Sequence, residues 1–170
     1  MKLLAIETSC DETALAILEI KGSAKKPAFS VLSYTVASQV ALHAQYGGVF
    51  PAMAKREHAK NIVPLFKKTL SEANLLSPLS KKQHTDKLQF VSMLQSKKLE
   101  VLLEREKEMY AELVPLLSSI KKPKIDAIAV TTGPGLEPTL WVGINFARAL
   151  SYIWDIPLVP VNHMEGHILS

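Results

Sequence analysis

The sequence contains only one cysteine, Cys10, among its 170 residues. A single cysteine cannot form an internal disulfide, which excludes a disulfide-stabilised secreted scaffold and favours a reducing, cytoplasmic location. Cys10 stands next to Asp11 and Glu12, whose negative charges disfavour a reactive thiolate. We therefore interpret Cys10 as a structural thiol rather than as a nucleophile.

Long hydrophobic runs are also missing from the chain. No uninterrupted apolar stretch approaches the roughly 18 residues of a membrane span, and Glu7 interrupts the N-terminal apolar run too early for a signal peptide. No membrane partner is therefore predicted. With 48% hydrophobic and 21% charged residues, a chain of this length is expected to form one domain with a substantial core.

Glycine is absent from residues 77–124, and the excess positive charge of the chain is concentrated there. Ten Lys or Arg residues stand against six Asp or Glu residues in this segment, so the net charge of +4 resides in it. The spacing of its apolar residues predicts one or two amphipathic helices inserted into the domain. These residues are Leu88, Val91, Leu99, Leu102, Leu103, Met109, Leu113 and Leu116. The insertion either packs on the domain as a solvated helical hairpin or forms an arm that contacts a partner or nucleic acid.

The rest of the chain follows the order strand, strand, strand, helix, strand, helix, strand, helix. Helices are predicted at residues 51–74 and 139–154 and after residue 162. The spacing of apolar residues in the first helix predicts a buried stripe of Ala54, Ile62, Val63, Phe66 and Leu70. Strands are predicted at residues 3–7, 14–19, 29–38, 126–131 and 158–161. This order is that of an α/β ribonuclease-H-like lobe, the unit of the actin-like ATPase and sugar-kinase fold. We expect a mixed five-stranded sheet with helices on both faces.

Polar loops follow two of the predicted strands at the edge of the sheet where parallel strands end. The turn after the first strand contains Ser9, Asp11 and Glu12, and the loop after the fourth contains Gly133 and Gly135. Hydroxyls and backbone amides near a helix N-terminus are suited to phosphate, and carboxylates are suited to divalent cations. These loops are therefore predicted to meet in one binding site.

The loop after the fifth strand contains His163 and His167, four positions apart and on one face if the segment is helical. This spacing is suited to shared ligation of one metal ion, but even an open catalytic site usually has three protein ligands. We interpret the pair as half of a metal site, the alternative being two surface histidines at a helix start. A metalloprotease is disfavoured, because Glu165 points about 200° away from His163.

Four motifs in this sequence carry a resemblance to a known family. They are residues 6–13 (IETSCDET), 38–49 (SQVALHAQYGGV), 133–136 (GPGL) and 162–167 (NHMEGH). In this order they resemble the TsaD family, the bacterial catalytic subunit of tRNA threonylcarbamoyladenosine synthesis. The likeness extends along the whole chain apart from residues 77–124.

The resemblance implies an actin-like enzyme of two lobes, of which residues 1–170 form the N-terminal lobe, with the C-terminal lobe absent. It implies one divalent metal ion, iron or zinc, held by His163 and His167 together with an aspartate of the second lobe. It also places Asp11 and Glu12 near the reaction centre.

In the implied reaction, the ATP-derived threonylcarbamoyl-adenylate donates its acyl group to an adenosine beside the tRNA anticodon. The implied partners are tRNA, an actin-like paralogue subunit and a small ATPase subunit, and homodimerisation is also expected. The isolated lobe is expected to be inactive, because the metal site and most of the adenylate site would be incomplete.

Some residues depart from the family pattern. Glu137 and Pro138 stand where common members have small or apolar residues. The segment Pro51-Ala52-Met53 lacks the glutamate that usually follows this first proline in the family. A non-catalytic actin-like paralogue, acting as a dimerisation or binding module, is the alternative function. That paralogue generally lacks the paired histidines, so His163 and His167 favour the enzyme.

Overall fold

The computed structural model describes residues 1–23, 25–79, 94 and 96–169, and its five strands form one mixed sheet. The strands are β1 (Lys2–Glu7), β2 (Glu12–Ser23), β3 (Lys26–Ser38), β4 (Ala127–Gly133) and β5 (Leu158–Asn162). Their order across the sheet is β3-β2-β1-β4-β5. The first three strands pair antiparallel, whereas β4 pairs parallel with both β1 and β5. The prediction of a mixed, ribonuclease-H-like sheet is confirmed.

Six helices are described between and after these strands. They are α1 (Val40–Ala44), α2 (Pro51–Glu72), α3 (Lys97–Leu102), α4 (Lys107–Ser119), α5 (Glu137–Trp154) and α6 (His163–Leu169). Pro51 is the first residue of α2, where its missing N–H costs no helical hydrogen bond. The sequence did not predict α1, a single short turn without a side-chain cap.

The hydrophobic core lies between α2, α5 and one face of the sheet. Leu4 and Ile6 of β1 are buried there, and Phe66 of α2 contacts two aromatic rings of α5. The Phe66 ring centroid lies 5.3 Å from that of Phe146 and 5.9 Å from that of Trp154. The predicted buried stripe of α2 is confirmed, since every member is buried: Ala54, Ile62, Val63, Phe66 and Leu70.

The opposite face of the sheet is more open. Tyr34, Val36 and Val159 are exposed on it. Among the described helices, α2 and α5 contact the strands from the core side, and α6 lies at the ends of β4 and β5. The described helices therefore cover one face of the sheet, whereas helices on both faces were predicted. The described residues include no helix long and apolar enough to cross a membrane.

The described part of the insertion packs on the domain. Leu99 of α3 and both Met109 and Leu113 of α4 are buried and join the same core. An antiparallel bridge between Pro78 and Ile120 closes the base of the insertion. Amphipathic helices were therefore correctly predicted in this segment, and the described ones pack on the domain. The predicted apolar positions Leu88 and Val91 lie outside the described residues.

Candidate functional site

The turn after β1 is bound tightly to α5. The Thr8 hydroxyl donates a hydrogen bond to the carbonyl of Thr139 (2.9 Å) and accepts one from the backbone N–H of Gly143 (3.2 Å). A Cβ atom at Gly143 would lie only 2.4 Å from Thr8 Oγ1. Glycine is therefore required at this position for the close approach of the helix to the turn.

Ser9 joins this turn to the loop after β4. Its carbonyl accepts hydrogen bonds from the Leu136 N–H (2.8 Å) and the Thr139 hydroxyl (3.0 Å). A Cβ atom at Gly135 would lie 2.9 Å from both Cβ and O of Ser9, so the two backbones are in direct contact. Gly133 has a φ of 148°, which favours glycine where the strand turns into the loop. The structure thus brings together the Ser9 turn and the glycine loop.

The two acidic residues Asp11 and Glu12 lie on the outer part of the same turn. Asp11 is half-buried, and its carbonyl accepts a hydrogen bond from the Gln39 N–H (2.8 Å). Glu12 is exposed and begins β2. Both carboxylates are therefore placed where the turn meets solvent, within three residues of Ser9.

A buried histidine, His58 of α2, contacts this acidic turn from the core side. Its Nε2–H donates to the Cys10 carbonyl (3.1 Å), and its Nδ1 accepts from the Thr13 hydroxyl (2.7 Å). Burial lowers the pKa of His58, and this effect exceeds the opposing ones of the Cys10 carbonyl and nearby carboxylates. The neutral ring therefore holds the turn. Sequence reasoning missed His58, although it stands four positions from the buried Ala54 and Ile62 on the same helical stripe.

The paired histidines lie one turn apart on α6. Asn162 caps this helix, because its side-chain oxygen accepts from the N–H groups of Met164 (2.9 Å) and Glu165 (3.2 Å). The Nε2 atoms of His163 and His167 are 3.0 Å apart, and their rings meet edge to face with centroids 4.5 Å apart. The two histidines therefore lie on one face of α6, as predicted, and their Nε2 atoms are adjacent.

The other ring nitrogen of His163 faces the turn after β1. Its Nδ1 lies 3.2 Å from the Ser9 hydroxyl oxygen and 3.5 Å from Oε2 of Glu7. Glu7 accepts hydrogen bonds from the Ser9 N–H at Oε1 (2.5 Å) and from the Thr131 hydroxyl at Oε2. The structure therefore joins the turn after β1 to the start of α6.

The Glu7 carboxylate is held in its ionised form. Burial on its own would raise its pKa, but the hydrogen bonds from Ser9 and Thr131, with the nearby His163, lower the pKa overall. Sequence reasoning treated Glu7 only as a polar interruption of the first apolar run. A signal was nevertheless present, since a charged residue at the end of a central strand needs compensating partners.

The histidine pair fits half of a metal site. Two nitrogens that each lie about 2.0–2.1 Å from one tetrahedral ion are separated by roughly 3.3 Å, and the Nε2 atoms are 3.0 Å apart, close enough to share a direct hydrogen bond when no ion lies between them. Among the described residues, no group of three or more His, Cys, Asp or Glu side chains is arranged to hold a metal ion.

Comparison with solved structures gives distant matches. Two Pseudomonas aeruginosa proteins, YeaZ and an uncharacterized protein with similarity to peptidase YEAZ, are 16% and 17% identical, each with a TM-score of 0.44. Each match covers 95% of this chain and 43% of the other, so the chain spans less than half of their length. RuvC from Thermus thermophilus is 10% identical with a TM-score of 0.39, covering 97% of this chain and 66% of that one.

The sequence also matches a family model over residues 30–78 and 109–170, which together are more than half of the chain. The histidine pair lies in the second matched segment, whereas the Ser9 turn precedes the first. Residues 79–108 are unmatched, an interval narrower than the insertion predicted at 77–124, and most of α4 falls inside the matched part. The family is described as TsaD, tRNA N6-adenosine threonylcarbamoyltransferase, and the chain belongs to it.

Proposed function

We propose that this chain is the N-terminal lobe of a tRNA N6-adenosine threonylcarbamoyltransferase. The family match supports this reaction class. The observation that carries the catalytic assignment is the pair His163 and His167, whose Nε2 atoms are 3.0 Å apart beside the Ser9 turn. A non-catalytic paralogue would have no need for two converging imidazoles at this position.

The residues at this edge of the sheet take separate roles in the proposal. His163 and His167 would hold a divalent iron or zinc ion, and an aspartate of the second lobe would be a further ligand. When bound, such an ion supplies Lewis-acid polarisation of an acyl carbonyl. Ser9, with the backbone at Gly133 and Gly135, forms the surface against which the threonylcarbamoyl-adenylate is bound.

The acidic residues Asp11 and Glu12 are proposed to act on the nucleophile. The exocyclic nitrogen of the tRNA adenosine forms a bond to the acyl carbon, the bond from that carbon to the adenylate oxygen breaks, and AMP leaves. The attacking amine must lose a proton, and an exposed carboxylate beside the site is an acceptor for it. Glu12 is exposed and Asp11 is half-buried in the same turn, so both carboxylates lie where the turn meets solvent.

The proposed partners follow from the same assignment. They are tRNA, an actin-like paralogue subunit and a small ATPase subunit, in the cytoplasm, with a homodimer as a further assembly. The second lobe completes both the metal site and the adenylate site. The 170-residue chain on its own is therefore proposed to be inactive.

A reconstitution experiment tests this proposal. The purified chain is incubated with unmodified tRNA and pre-formed threonylcarbamoyl-adenylate, with or without a separately produced C-terminal lobe of a TsaD family member. Nucleosides from the tRNA are then quantified by mass spectrometry. We expect product only when both lobes are present, and loss of product in His163→Ala and His167→Ala. Met164→Ala, an exposed neighbour on the same helix, is the matched control and should retain activity.

Three results would contradict the proposal. Turnover by the chain alone would show that no second lobe is required. Transfer that survives both histidine substitutions would remove the metal site from the mechanism. If the two lobes associate and bind tRNA but give no product, the alternative of a non-catalytic binding module is the better description.

A further inference from the structure

Glu7 lies at the end of β1, the central strand of the sheet, and its carboxylate is held from two sides. The Ser9 N–H donates to Oε1 and the Thr131 hydroxyl donates to Oε2. These two contacts come from different strands and turns, so the carboxylate has little freedom to rotate. With that orientation, Oε2 also faces Nδ1 of His163 at 3.5 Å.

The neighbours of both ring nitrogens bear on which of them carries the proton: Glu7 and Ser9 lie beside Nδ1 of His163, and Nε2 of His167 lies 3.0 Å from its Nε2. An ionised carboxylate only accepts hydrogen bonds, so it favours the tautomer with a proton on Nδ1 and a free lone pair on Nε2. The Ser9 hydroxyl, 3.2 Å from the same nitrogen, can either donate or accept. If Ser9 donated to Nδ1, the proton would sit on Nε2, and that nitrogen could not bind a cation.

We propose that Glu7 is a positioning residue for the histidine pair, which fixes the ring and tautomer of His163 so that its Nε2 lone pair faces a divalent cation shared with His167. This inference rests on the metal site of the proposed function and adds a residue to it. Carboxylates that contact the distal nitrogen of a ligating histidine commonly orient the ring in this way.

A purely structural role for Glu7 would need fewer of its observed contacts. Closing the turn to Ser9 requires only Oε1. The second oxygen is directed to Thr131 and His163, on a sheet face that also carries Ala5 and Ala129. A glutamine would serve the turn equally well, but its amide would donate to Nδ1 and reverse the tautomer of His163. The replacement Glu7→Gln therefore separates the two roles.

The first measurement is the tautomer of His163 in the complete 170-residue chain. Long-range proton–nitrogen correlation spectra are recorded on protein labelled with ¹⁵N-histidine at about pH 8, above the usual histidine range. We expect Nδ1–H in the unchanged chain and a shift toward Nε2–H in Glu7→Gln. A proton on Nε2 in the unchanged chain, or an unaltered tautomer in the variant, would overturn the inference.

The second measurement is zinc affinity, with Zn²⁺ alone as the probe and calorimetry as the readout. Glu7→Gln is expected to weaken binding about 10-fold or more, as is usual for a partner behind a metal ligand. Glu165→Gln removes the same charge from an exposed position between the two histidines and should leave the affinity nearly unchanged. An equal loss in both variants would show a general charge effect and would overturn the positioning role.

Two safeguards keep the test decisive. Amide spectra establish whether each variant is folded. If Glu7→Gln is unfolded, Thr131→Val is used instead and must weaken zinc binding, because this substitution removes a hydrogen bond that orients the Glu7 carboxylate and leaves its charge unchanged. Neither tRNA nor adenylate is used, so a failure of the transferase assignment would not alter these results. No zinc binding by the unchanged chain would overturn both the metal site and this role for Glu7.

Discussion

The contact between Gly143 and Thr8 provides a quantitative test of how the site is built. Replacing Gly143 by alanine places a methyl group 2.4 Å from Thr8 Oγ1 and 3.3 Å from its Cγ2. Both residues are buried, so neither α5 nor the turn after β1 can move without disturbing the core. The substitution must therefore displace the Thr8 hydroxyl from its two backbone partners.

Opposing terms set the size of the effect. Alanine in place of glycine favours a helix interior by about 1 kcal/mol. Overpacking a filled core costs about 1–3 kcal/mol, and disturbing the buried hydrogen bonds of Thr8 costs about 1–3 kcal/mol more. The net expectation is a loss of about 3 kcal/mol in the free energy of unfolding. For a chain of this size, that loss lowers Tm by roughly 6–12 °C.

The assay is urea denaturation followed by circular dichroism, with Gly166→Ala as the matched control. Gly166 also lies in a helix, but nothing stands within 4 Å of a Cβ built there. The control should be neutral or slightly stabilised, because only the helix-propensity term applies. If Gly143→Ala were as stable as Gly166→Ala, the close approach of α5 to Thr8 would be refuted.

Four further predictions concern other parts of the molecule. Burial lowers the pKa of His58 below its usual 6.5, so the unfolded chain binds a proton at this residue at a higher pH than the folded chain does, and the free energy of unfolding should fall as pH drops below 6.5. His58→Gln should show a smaller fall in the free energy of unfolding between about pH 8 and about pH 5. A fall equal to that of the unchanged chain would contradict the burial effect. His163→Ala should abolish zinc binding by the chain, and binding to the unchanged protein should weaken in acid because only a neutral imidazole ligates; tight binding in the variant would place the site elsewhere. Phe66→Ala should cost about 3–5 kcal/mol in urea unfolding, since this ring contacts two others in the core. Light scattering should detect a dimer of the chain, and Tyr34→Lys should lower the fraction of dimer, because Tyr34 is exposed beside other apolar side chains of β3. A strictly monomeric chain at high concentration would refute this prediction.

Local periodicity was sufficient to predict most of the fold. The continuous apolar run of β1 and the buried stripe of α2 are properties of neighbouring residues, so they are visible in the sequence. The hairpin of β2 and β3 is longer than predicted, because pairing continues through polar residues as far as Ser23 and Lys26. Such pairing depends on the partner strand rather than on the apolar pattern of either strand.

The site divides in the same way between local pattern and long-range contact. The sequence by itself determined that His163 and His167 share one helical face, because a spacing of four residues imposes this on any helix. It could not determine that Glu7 faces His163 or that His58 supports the Cys10 carbonyl. Those contacts join residues far apart in the chain, and they exist only because the parallel pairing of β1, β4 and β5 aligns the strand ends and because α2 packs beneath the first turn.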